Sequence, residues 1–313
     1  MAKILCLLYH RVHPVRDNIY NLTVSPEEFE KHMDYLKSRY AILRFEDDWT
    51  KCDRDAVIIT FDDGYADNCE YALPVLERQQ IPATIFVSTG NLDTQNEFWW
   101  DELGRLLTQG RNYPGSFELQ DPLYHYTWDT ETENERVELV RTLRWLLRME
   151  PDSDRFKNWT VQLQEWGNLQ ETAGRKEHLS LNKEQLHRLD DSEYITIGAH
   201  TVNHLSLGAL SKEAQEKEIG KSIRYLQEEL GHSITTFSYP FGSGMDYNAD
   251  TLEICRKYGI AKAATTRARL WTAEDDPYLI PRLTISNGNM DAFEKKVEST
   301  RGYGNGLYRQ DRR

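Results

Sequence analysis

Two adjacent aspartates follow an apolar run of the sequence. Residues 57–61 are hydrophobic except for one threonine, and Asp62 and Asp63 come directly after them, before a glycine. A pair of carboxylates at the carboxyl end of an apolar strand lies where α/β folds place their active sites. Because Asp-Asp-Gly is also an ordinary turn sequence, the pair indicates catalysis only if other reactive groups lie beside it.

Two histidines form a second cluster. His200 and His204 are four residues apart and follow the apolar run 194–199. Two imidazoles at this spacing can reach one ion, and together with a carboxylate they form a ligand set that suits divalent metals. Such a pair alone is weak evidence, because histidines at this spacing often only cap a helix or lie on a surface. Both clusters end apolar runs, so we expect them on the same rim.

A third cluster is a sharp turn after the apolar run 235–239. Pro240 and Gly242 fix the turn around Phe241. Such a turn can direct a backbone N–H toward an oxyanion that develops during hydrolysis. The alternative is a simple loop without a chemical role.

Short apolar runs alternate with helical patterns through most of the chain. Runs that are hydrophobic throughout are typical of strands covered on both faces of a parallel sheet. The predicted strands are residues 4–9, 41–45, 56–61, 83–88, 194–199, 235–239, 261–265 and 279–285. Helix signals predict helices from Ser25 to about Arg39, at 66–78 and at 212–230. The repeated strand-then-helix order predicts a barrel or a doubly wound sheet.

The stretch from about 91 to 180 interrupts this order. Thr132 and Glu135 match a capping box, and apolar residues follow at helical spacing, so the stretch should contain an amphipathic helix. Six of the eight tryptophans fall within it. They either pack this insertion onto the main domain or provide a stacking surface for a sugar ring.

The composition argues against several classes of partner and location. The chain of 313 residues has a formal net charge of -13, which opposes any broad attraction to the phosphate backbones of nucleic acids. No apolar stretch approaches the roughly 20 residues of a membrane-spanning helix. No secretory signal is present at the start, and the four cysteines have no metal-site spacing. We therefore expect a cytoplasmic protein with reduced thiols, and two disulfide bridges are the alternative.

Taken together, the three clusters resemble the polysaccharide deacetylase family, also called carbohydrate esterase family 4 or the NodB-homology group. The first family motif is intact at residues 60–64, the second is intact at 200–204, and the third matches in part at 239–242. Residues 9–12 and 280–283 resemble a branch of the family that has a histidine on its first strand.

The resemblance implies an α/β fold, a distorted (β/α) barrel with fewer than eight complete units. Residues 1–313 would form one such domain, with a helical, aromatic-rich insertion at about 91–180. The implied function is metal-dependent hydrolysis of an N-acetyl group on a carbohydrate, with an O-acetyl group as the alternative. In the cytoplasm, the substrate would be a nucleotide- or lipid-linked sugar or a surface-polysaccharide precursor.

The resemblance also assigns roles to individual residues. Asp63, His200 and His204 would bind one divalent metal ion, usually zinc, which polarises the carbonyl and lowers the pKa of water. Asp62 would accept the proton of the attacking water as general base. The backbone N–H of Phe241 would face the oxyanion.

Two departures from the family pattern need substitutes within this chain. Ser238 stands where many members carry an arginine, and Arg282 is our candidate for the guanidinium that orients Asp62; the alternative is that Arg282 is only a structural partner. Many members have a general-acid histidine near the carboxyl terminus, but here no histidine follows His232. His10 is our candidate for the general acid, and a structural histidine is the alternative.

Two other functions compete with carbohydrate deacetylation. A related barrel could use the same metal site as a C–N hydrolase on a small cyclic amide. A catalytically inactive relative could serve as a carbohydrate-binding module, although such a protein would not need the base, the ligands and the turn together.

Overall fold

Twelve strands and nine helices are present in the described part of the computed structural model, which comprises residues 2–14, 20–108, 112–167 and 174–302. The strands are β1 (Ile4–Tyr9), β2 (Arg11–Val12), β3 (Thr23–Val24), β4 (Ala41–Leu43), β5 (Ala56–Phe61), β6 (Ala83–Val87), β7 (Ser116–Gln120), β8 (His125–Asp129), β9 (Ile195–Ala199), β10 (Thr236–Ser238), β11 (Lys262–Ala264) and β12 (Leu283–Thr284). The helices are α1 (Pro26–Arg39), α2 (Leu73–Gln79), α3 (Trp99–Thr108), α4 (Glu133–Arg148), α5 (Ser153–Gly167), α6 (Lys183–Asp190), α7 (Lys212–Leu230), α8 (Ala249–Lys257) and α9 (Met290–Gly302).

Eight of these strands form one sheet whose paired strands are all parallel. Its order is β11-β10-β9-β6-β5-β1-β12, and β4 pairs with the first half of β5. The segment before β12 brings the two edges of the sheet together. Ile280 exchanges backbone hydrogen bonds with β11 and Thr265 at 3.0 and 2.8 Å, and Leu283 pairs with Leu7 of β1. The predicted distorted (β/α) barrel with fewer than eight complete units is confirmed.

The central strands are apolar because helices and the barrel interior cover both of their faces. Every residue of β1 and β5 is buried, as expected for parallel strands of this kind. The side chain of Ser25 accepts a hydrogen bond from the backbone N–H of Glu28 and caps α1. Helix α7 ends at Gly231, which adopts the left-handed conformation with φ 77°. Both helix boundaries agree with the sequence prediction.

Two predicted elements differ from the observed ones. The predicted regular helix at 66–78 contains a π-helical turn at Asn68–Ala72 before α2 begins. At this turn the side chain of Asn68 is buried and donates to the carbonyl of His10 at 2.9 Å, so the widened turn brings the helix against the end of β1. The predicted last strand, 279–285, is regular only at β12, because Arg282 enters the barrel interior just before it.

Residues 99–108 and 112–167 form a layer with a hydrophobic core of its own. Helices α3, α4 and α5 pack around the antiparallel β7–β8 hairpin. The predicted capping box of α4 is present, with reciprocal hydrogen bonds between Thr132 and Glu135. Four tryptophans belong to this core or pack against it: Trp99, Trp128, Trp159 and Trp166. Residues 109–111 and 168–173 of the predicted insertion lie outside the described residues. That residues 1–313 form a single domain stays a prediction.

None of the described helices combines the length and the apolar character needed to cross a bilayer. All four cysteines are free thiols, which agrees with the expectation of reduced cysteines.

Candidate functional site

The predicted clusters meet at the carboxyl ends of neighbouring strands. Asp62 and Asp63 follow β5, and His200 follows β9, with only β6 between these two strands. Backbone hydrogen bonds hold their main chains in place. The N–H of Asp62 donates to the carbonyl of Tyr9, and the N–H of His200 donates to that of Val87, both at 3.0 Å. The parallel sheet therefore fixes the positions of both clusters.

Asp63, His200 and His204 form a buried group whose ligand atoms face one another. The Oδ1 of Asp63 lies 3.5 Å from the Nε2 of His200 and 3.3 Å from the Nε2 of His204, and the three ligand atoms all lie within 4.8 Å of one another. Ligands held about 2.0–2.1 Å from a tetrahedral ion lie roughly 3.4 Å apart. The Oδ1 of Asp63 and the Nε2 of His200 are buried without a hydrogen-bond partner. These residues therefore fit a divalent metal ion.

The tautomer of His200 also suits a metal ligand. Its Nδ1 lies 2.7 Å from the backbone carbonyl of Ser238. A carbonyl can only accept, so the Nδ1 must carry the hydrogen and donate it. In the neutral ring, the Nε2 then carries a lone pair on the side of Asp63 and His204, and a hydrogen bond at the other ring nitrogen is the usual support for a metal-bound histidine.

Backbone strain is concentrated around this group. Asp63, Thr201, His204 and Phe241 adopt positive φ angles of 76°, 65°, 54° and 60°. Side-chain-bearing residues rarely adopt such angles, and they persist where the surrounding structure enforces them, commonly at functional sites. The N–H of His204 donates to the Oγ1 of Thr201 at 3.1 Å, which helps to hold the strained loop between the two histidines.

Burial and neighbouring charges shift the pKa values of the group in different directions. For Asp63, burial opposes ionisation, but contacts with His200 and His204 outweigh it and place the pKa well below its usual range. For His200, burial favours the neutral ring, yet Asp62 and Asp63 outweigh it and raise the pKa. Burial dominates at His204 and lowers its pKa despite Asp63. The ionised carboxylate of Asp63 and the neutral ring of His204 are the states that a metal site requires of these residues.

Asp62 is held by Arg282, and its Oδ2 also lies 3.9 Å from the Nε2 of His200. Two parallel hydrogen bonds of 2.7 Å join the Nη1 and Nη2 of Arg282 to the two oxygens of Asp62. The hydroxyl of Ser238 donates to the same carboxylate at 3.1 Å. The structure thus places Arg282 against Asp62 and places Ser238 beside both.

Arg282 determines the charge state of Asp62. Burial alone would raise the pKa of the carboxyl, but the guanidinium of Arg282 and, next, His200 outweigh burial and lower it. Asp62 is therefore an ionised, oriented carboxylate whose hydrogen-bonding partners are fixed. A planar guanidinium bound through two parallel bonds sets both the position and the plane of the carboxylate.

A cleft of about 250 Å³ opens above these groups. From the barrel, it is lined by His10, Asp62, Asp63, His204 and Phe241. The Nδ1 of His10 is buried without a hydrogen-bond partner. Burial lowers the pKa of His10, although Asp63 and Asp62 oppose this effect. Among the described residues, the backbone N–H of Phe241 has no acceptor, whereas its carbonyl accepts from Thr266 at 2.7 Å.

The far wall of the cleft comes from the insertion, and its residues were not singled out from the sequence. Trp100, Arg144 and Arg148 line the cleft, and the ring of Trp100 lies 4.5 Å from that of His204. The cluster of tryptophans indicated a sugar-stacking surface as one alternative, but nothing in the sequence distinguished Trp100 from the tryptophans that pack.

A buried polar network fixes Trp100. Its Nε1 donates to the hydroxyl of Tyr65 at 2.8 Å, and that hydroxyl donates to Asp101 at 2.6 Å. The guanidinium of Arg11 lies over the ring of Tyr65, 4.6 Å from its centroid, and its Nε bonds to Asp67 at 2.8 Å. Residues from β2, α3 and the loop after β5 therefore hold the tryptophan in one orientation.

The family model for polysaccharide deacetylases matches residues 50–141 and 159–263, which together make up more than half of the chain. The chain belongs to this family, carbohydrate esterase family 4. The family match and the relatives support carbohydrate deacetylase activity.

Three similar proteins illustrate the relationship. A poly-β-1,6-N-acetyl-D-glucosamine N-deacetylase of Staphylococcus aureus is 24% identical over 317 residues, covering 96% of this chain and 83% of the relative. The Streptococcus pyogenes deacetylase PplD, solved in complex with acetate, has a TM-score of 0.58 and 20% identity, covering 96% and 98% of the two chains. BC0361, a polysaccharide deacetylase from Bacillus cereus, has a TM-score of 0.60 and 18% identity. The match covers 95% of the present chain and 69% of the BC0361 chain.

The geometry of the three ligand atoms predicts the metal content of the purified protein. We expect about one tightly held divalent ion per chain. His200→Ala or His204→Ala removes one of three ligands and should abolish retention of the ion, as measured by elemental analysis after gel filtration. His232→Ala is the matched control, since His232 is an exposed histidine paired with Asp190. Equal metal content in the wild type and the His200→Ala/His204→Ala double variant would show that the ion binds elsewhere.

Proposed function

We propose that this deacetylase uses a divalent metal ion to hydrolyse an N-acetyl group on a carbohydrate. The observation that carries the proposal is the presence, in one cleft, of an ionised carboxylate held by Arg282 beside a separate metal-ligand group. Hydrolysis of an amide needs an activated water, a stabilised oxyanion and a proton for the amine. The cleft offers one candidate for each need.

Asp63, His200 and His204 are the proposed ligands, and zinc is the ion that fits two imidazoles and one carboxylate at these separations. A bound ion supplies Lewis-acid polarisation of the acetyl carbonyl and lowers the pKa of water. An ion held only by these three residues would leave room for water and the substrate.

Asp62 is the proposed general base. It accepts a proton from the water that attacks the acetyl carbon, and a C–O bond forms as the carbonyl becomes an oxyanion. Arg282 and Ser238 occupy the carboxylate edge that faces the barrel interior, so Arg282 is a positioning residue. The proposed role of Asp62 depends on its ionised state at neutral pH, which the lowered pKa supports.

The backbone N–H of Phe241 is the proposed oxyanion donor. The strained turn at this residue, with φ 60°, leaves its N–H without a protein acceptor among the described residues. A donor held in place without a partner stabilises developing negative charge without reorganisation.

His10 is the proposed general acid. It lines the same cleft as Asp62 and Asp63, and its Nδ1 is buried without a hydrogen-bond partner among the described residues, so a protonated ring has an N–H to donate. In the second half of the reaction, the C–N bond breaks and His10 donates a proton to the leaving amine. The products are acetate and a sugar with a free amino group.

The substrate is proposed to be a nucleotide- or lipid-linked sugar or a surface-polysaccharide precursor. The relative in Staphylococcus aureus is named for deacetylation of an N-acetyl-D-glucosamine polymer, which supports an acetylated amino sugar as the unit recognised. Trp100 lines the wall of the cleft and limits the space for the sugar, while Phe98 stacks on its ring and only 3% of its surface is exposed.

Replacement of the proposed base tests this function. Wild-type protein with its metal should release acetate from N-acetylated sugars, and Asp62→Asn should reduce the turnover number about 10²–10⁴-fold, because that is the usual contribution of a general base. Metal content should remain at the wild-type value in Asp62→Asn and should fall in Asp63→Asn. Acetate and metal are both measured on the same preparations.

Other results would contradict the proposal in different ways. An Asp62→Asn variant with near-normal turnover would refute the base role. A wild-type protein that binds acetylated sugars but releases no acetate would indicate the carbohydrate-binding function. Release of product from a small cyclic amide, without any from the sugars, would indicate the alternative C–N hydrolase.

A substrate that needs no proton on its leaving group tests His10. We expect His10→Ala to lower turnover sharply on an N-acetyl sugar and much less on an activated acetyl ester, because only the amine must be protonated as it leaves. Metal content and melting temperature should stay near the wild-type values. Equal losses on both substrates, or mainly a lower melting temperature, would assign His10 to structure.

A further inference from the structure

Within the described residues, the charged side chains that line the cleft face groups of opposite charge, with one exception. Asp62 is bound by Arg282, and Asp63 faces two imidazoles. Arg148, from α4, makes a salt bridge of 2.5 Å with the buried Asp246. The exception is Arg144, one helical turn before Arg148 on the same face of α4, which also lines the cleft.

Arg144 has no anionic partner among the described residues. Its Nε is buried without a hydrogen-bond partner, and no carboxylate of the described chain lies within salt-bridge distance of it. The three other arginines of α4 all donate to acceptors of the protein. Arg136 donates to the carbonyl of Thr130 at 2.9 Å, Arg141 pairs with Glu138, and Arg148 pairs with Asp246.

Aromatic rings fix the orientation of the Arg144 guanidinium. Its central carbon lies 4.6 Å from the ring centroid of Tyr20 and 5.7 Å from that of Phe241. Stacking uses the flat faces of a guanidinium and leaves its N–H groups directed outward in the plane. Unlike a flexible surface arginine, Arg144 is therefore partly ordered before a ligand arrives, which reduces the entropy lost on binding.

Phe241 connects Arg144 to the proposed reaction centre. Phe241, which contacts Arg144, also carries the proposed oxyanion donor and lies 4.7 Å from the ring of His204. The cleft volume of about 250 Å³ lies below the roughly 300–1,000 Å³ of common ligand pockets. The cleft is small, so a substrate whose acetyl group reaches Asp63 and His204 has little room beyond one sugar. Any group of that substrate bound by Arg144 is therefore part of the acetylated sugar or attached directly to it.

We propose that Arg144 binds a phosphoryl group attached to the acetylated sugar, so that the substrate is a sugar phosphate or a sugar linked through a diphosphate. This inference rests on the proposed function and specifies the substrate class for the same site. A guanidinium with free in-plane donors suits two phosphoryl oxygens. The chain as a whole has a formal net charge of -13, so an anionic substrate requires a local positive group such as Arg144.

A comparison of matched substrates tests the proposal. The ratio of kcat/KM for N-acetylglucosamine 1-phosphate to kcat/KM for the neutral methyl N-acetylglucosaminide is measured by acetate release. Arg144→Gln should lower this ratio about 10–100-fold, the effect of losing hydrogen bonds to a charged group. Arg144→Lys should give an intermediate ratio, because lysine keeps the charge but loses the fork. Arg141→Gln, on the exposed side of α4, is the matched control.

Direct binding provides a readout that does not depend on turnover. By calorimetry, glucosamine 1-phosphate should bind the wild type more weakly as salt is raised, and Arg144→Gln should lose both affinity and most of this salt dependence. Circular dichroism and melting temperature establish that each variant is folded. Substrates linked to a uridine diphosphate and to a short prenyl diphosphate then distinguish a nucleotide carrier from a lipid carrier.

The outcomes separate this inference from the proposed function. An unchanged substrate ratio in folded Arg144→Gln, or equal losses on both substrates, would overturn the inference while deacetylation stands. Preference for a carboxylate-bearing acetylated sugar over the phosphate would also overturn it. If no substrate releases acetate but phosphosugar binding still depends on Arg144, the proposed function fails and the binding assignment stands.

Discussion

The structure depends on one guanidinium buried among the strand ends. Arg282 is fully buried, and its five N–H groups are matched by five hydrogen bonds. Two bonds bind Asp62, one reaches the hydroxyl of Thr60, one reaches Ser238, and one reaches the carbonyl of Thr265. Burial of an ion pair is costly unless every donor is satisfied, and here the described contacts satisfy all of them. The same side chain thereby joins β5, β10 and the end of β11 to the last strand.

This arrangement explains how two adjacent aspartates serve different purposes. Arg282 binds Asp62 through both of its oxygens, whereas the next residue, Asp63, adopts a positive φ of 76°. Its carboxylate then faces His200 and His204 instead of the guanidinium. The strain at Asp63 is supported by backbone hydrogen bonds from neighbouring strands, including one of 3.0 Å from Ser88 to the carbonyl of Asp63.

The barrel and its rim were predictable because strand burial and the ends of parallel strands follow local rules. Apolar runs identified the strands, and the polar residues after them identified the side of the sheet on which they meet. The walls of the cleft were not predictable in this way. Arg148 and Asp246 are 98 positions apart, and Arg144 is distinguished only by the absence of a partner. Such features depend on how the insertion packs against the barrel, which residue spacing does not encode.

The roles proposed for individual residues, the identity of the metal and the cytoplasmic location stay predictions. The geometry nevertheless relates them to one requirement, an ionised and oriented Asp62 next to a metal-ligand group. Many members of the family carry an arginine at the position that Ser238 occupies here. In this chain, Arg282 lies against Asp62 and donates to the Ser238 hydroxyl at 2.8 Å. In this chain the guanidinium that holds Asp62 thus comes from the residue just before β12.

The central claim is that activity depends on a guanidinium that holds Asp62. Moving this guanidinium from position 282 to position 238 tests the claim most directly. The measurement is the turnover number for acetate release by Arg282→Ala and by Arg282→Ala/Ser238→Arg, with circular dichroism to establish folding. The account predicts a loss of at least about 100-fold for the single variant, within the range for a disabled general base, and partial recovery when an arginine stands at position 238. A folded Arg282→Ala variant with near-wild-type turnover would contradict the account.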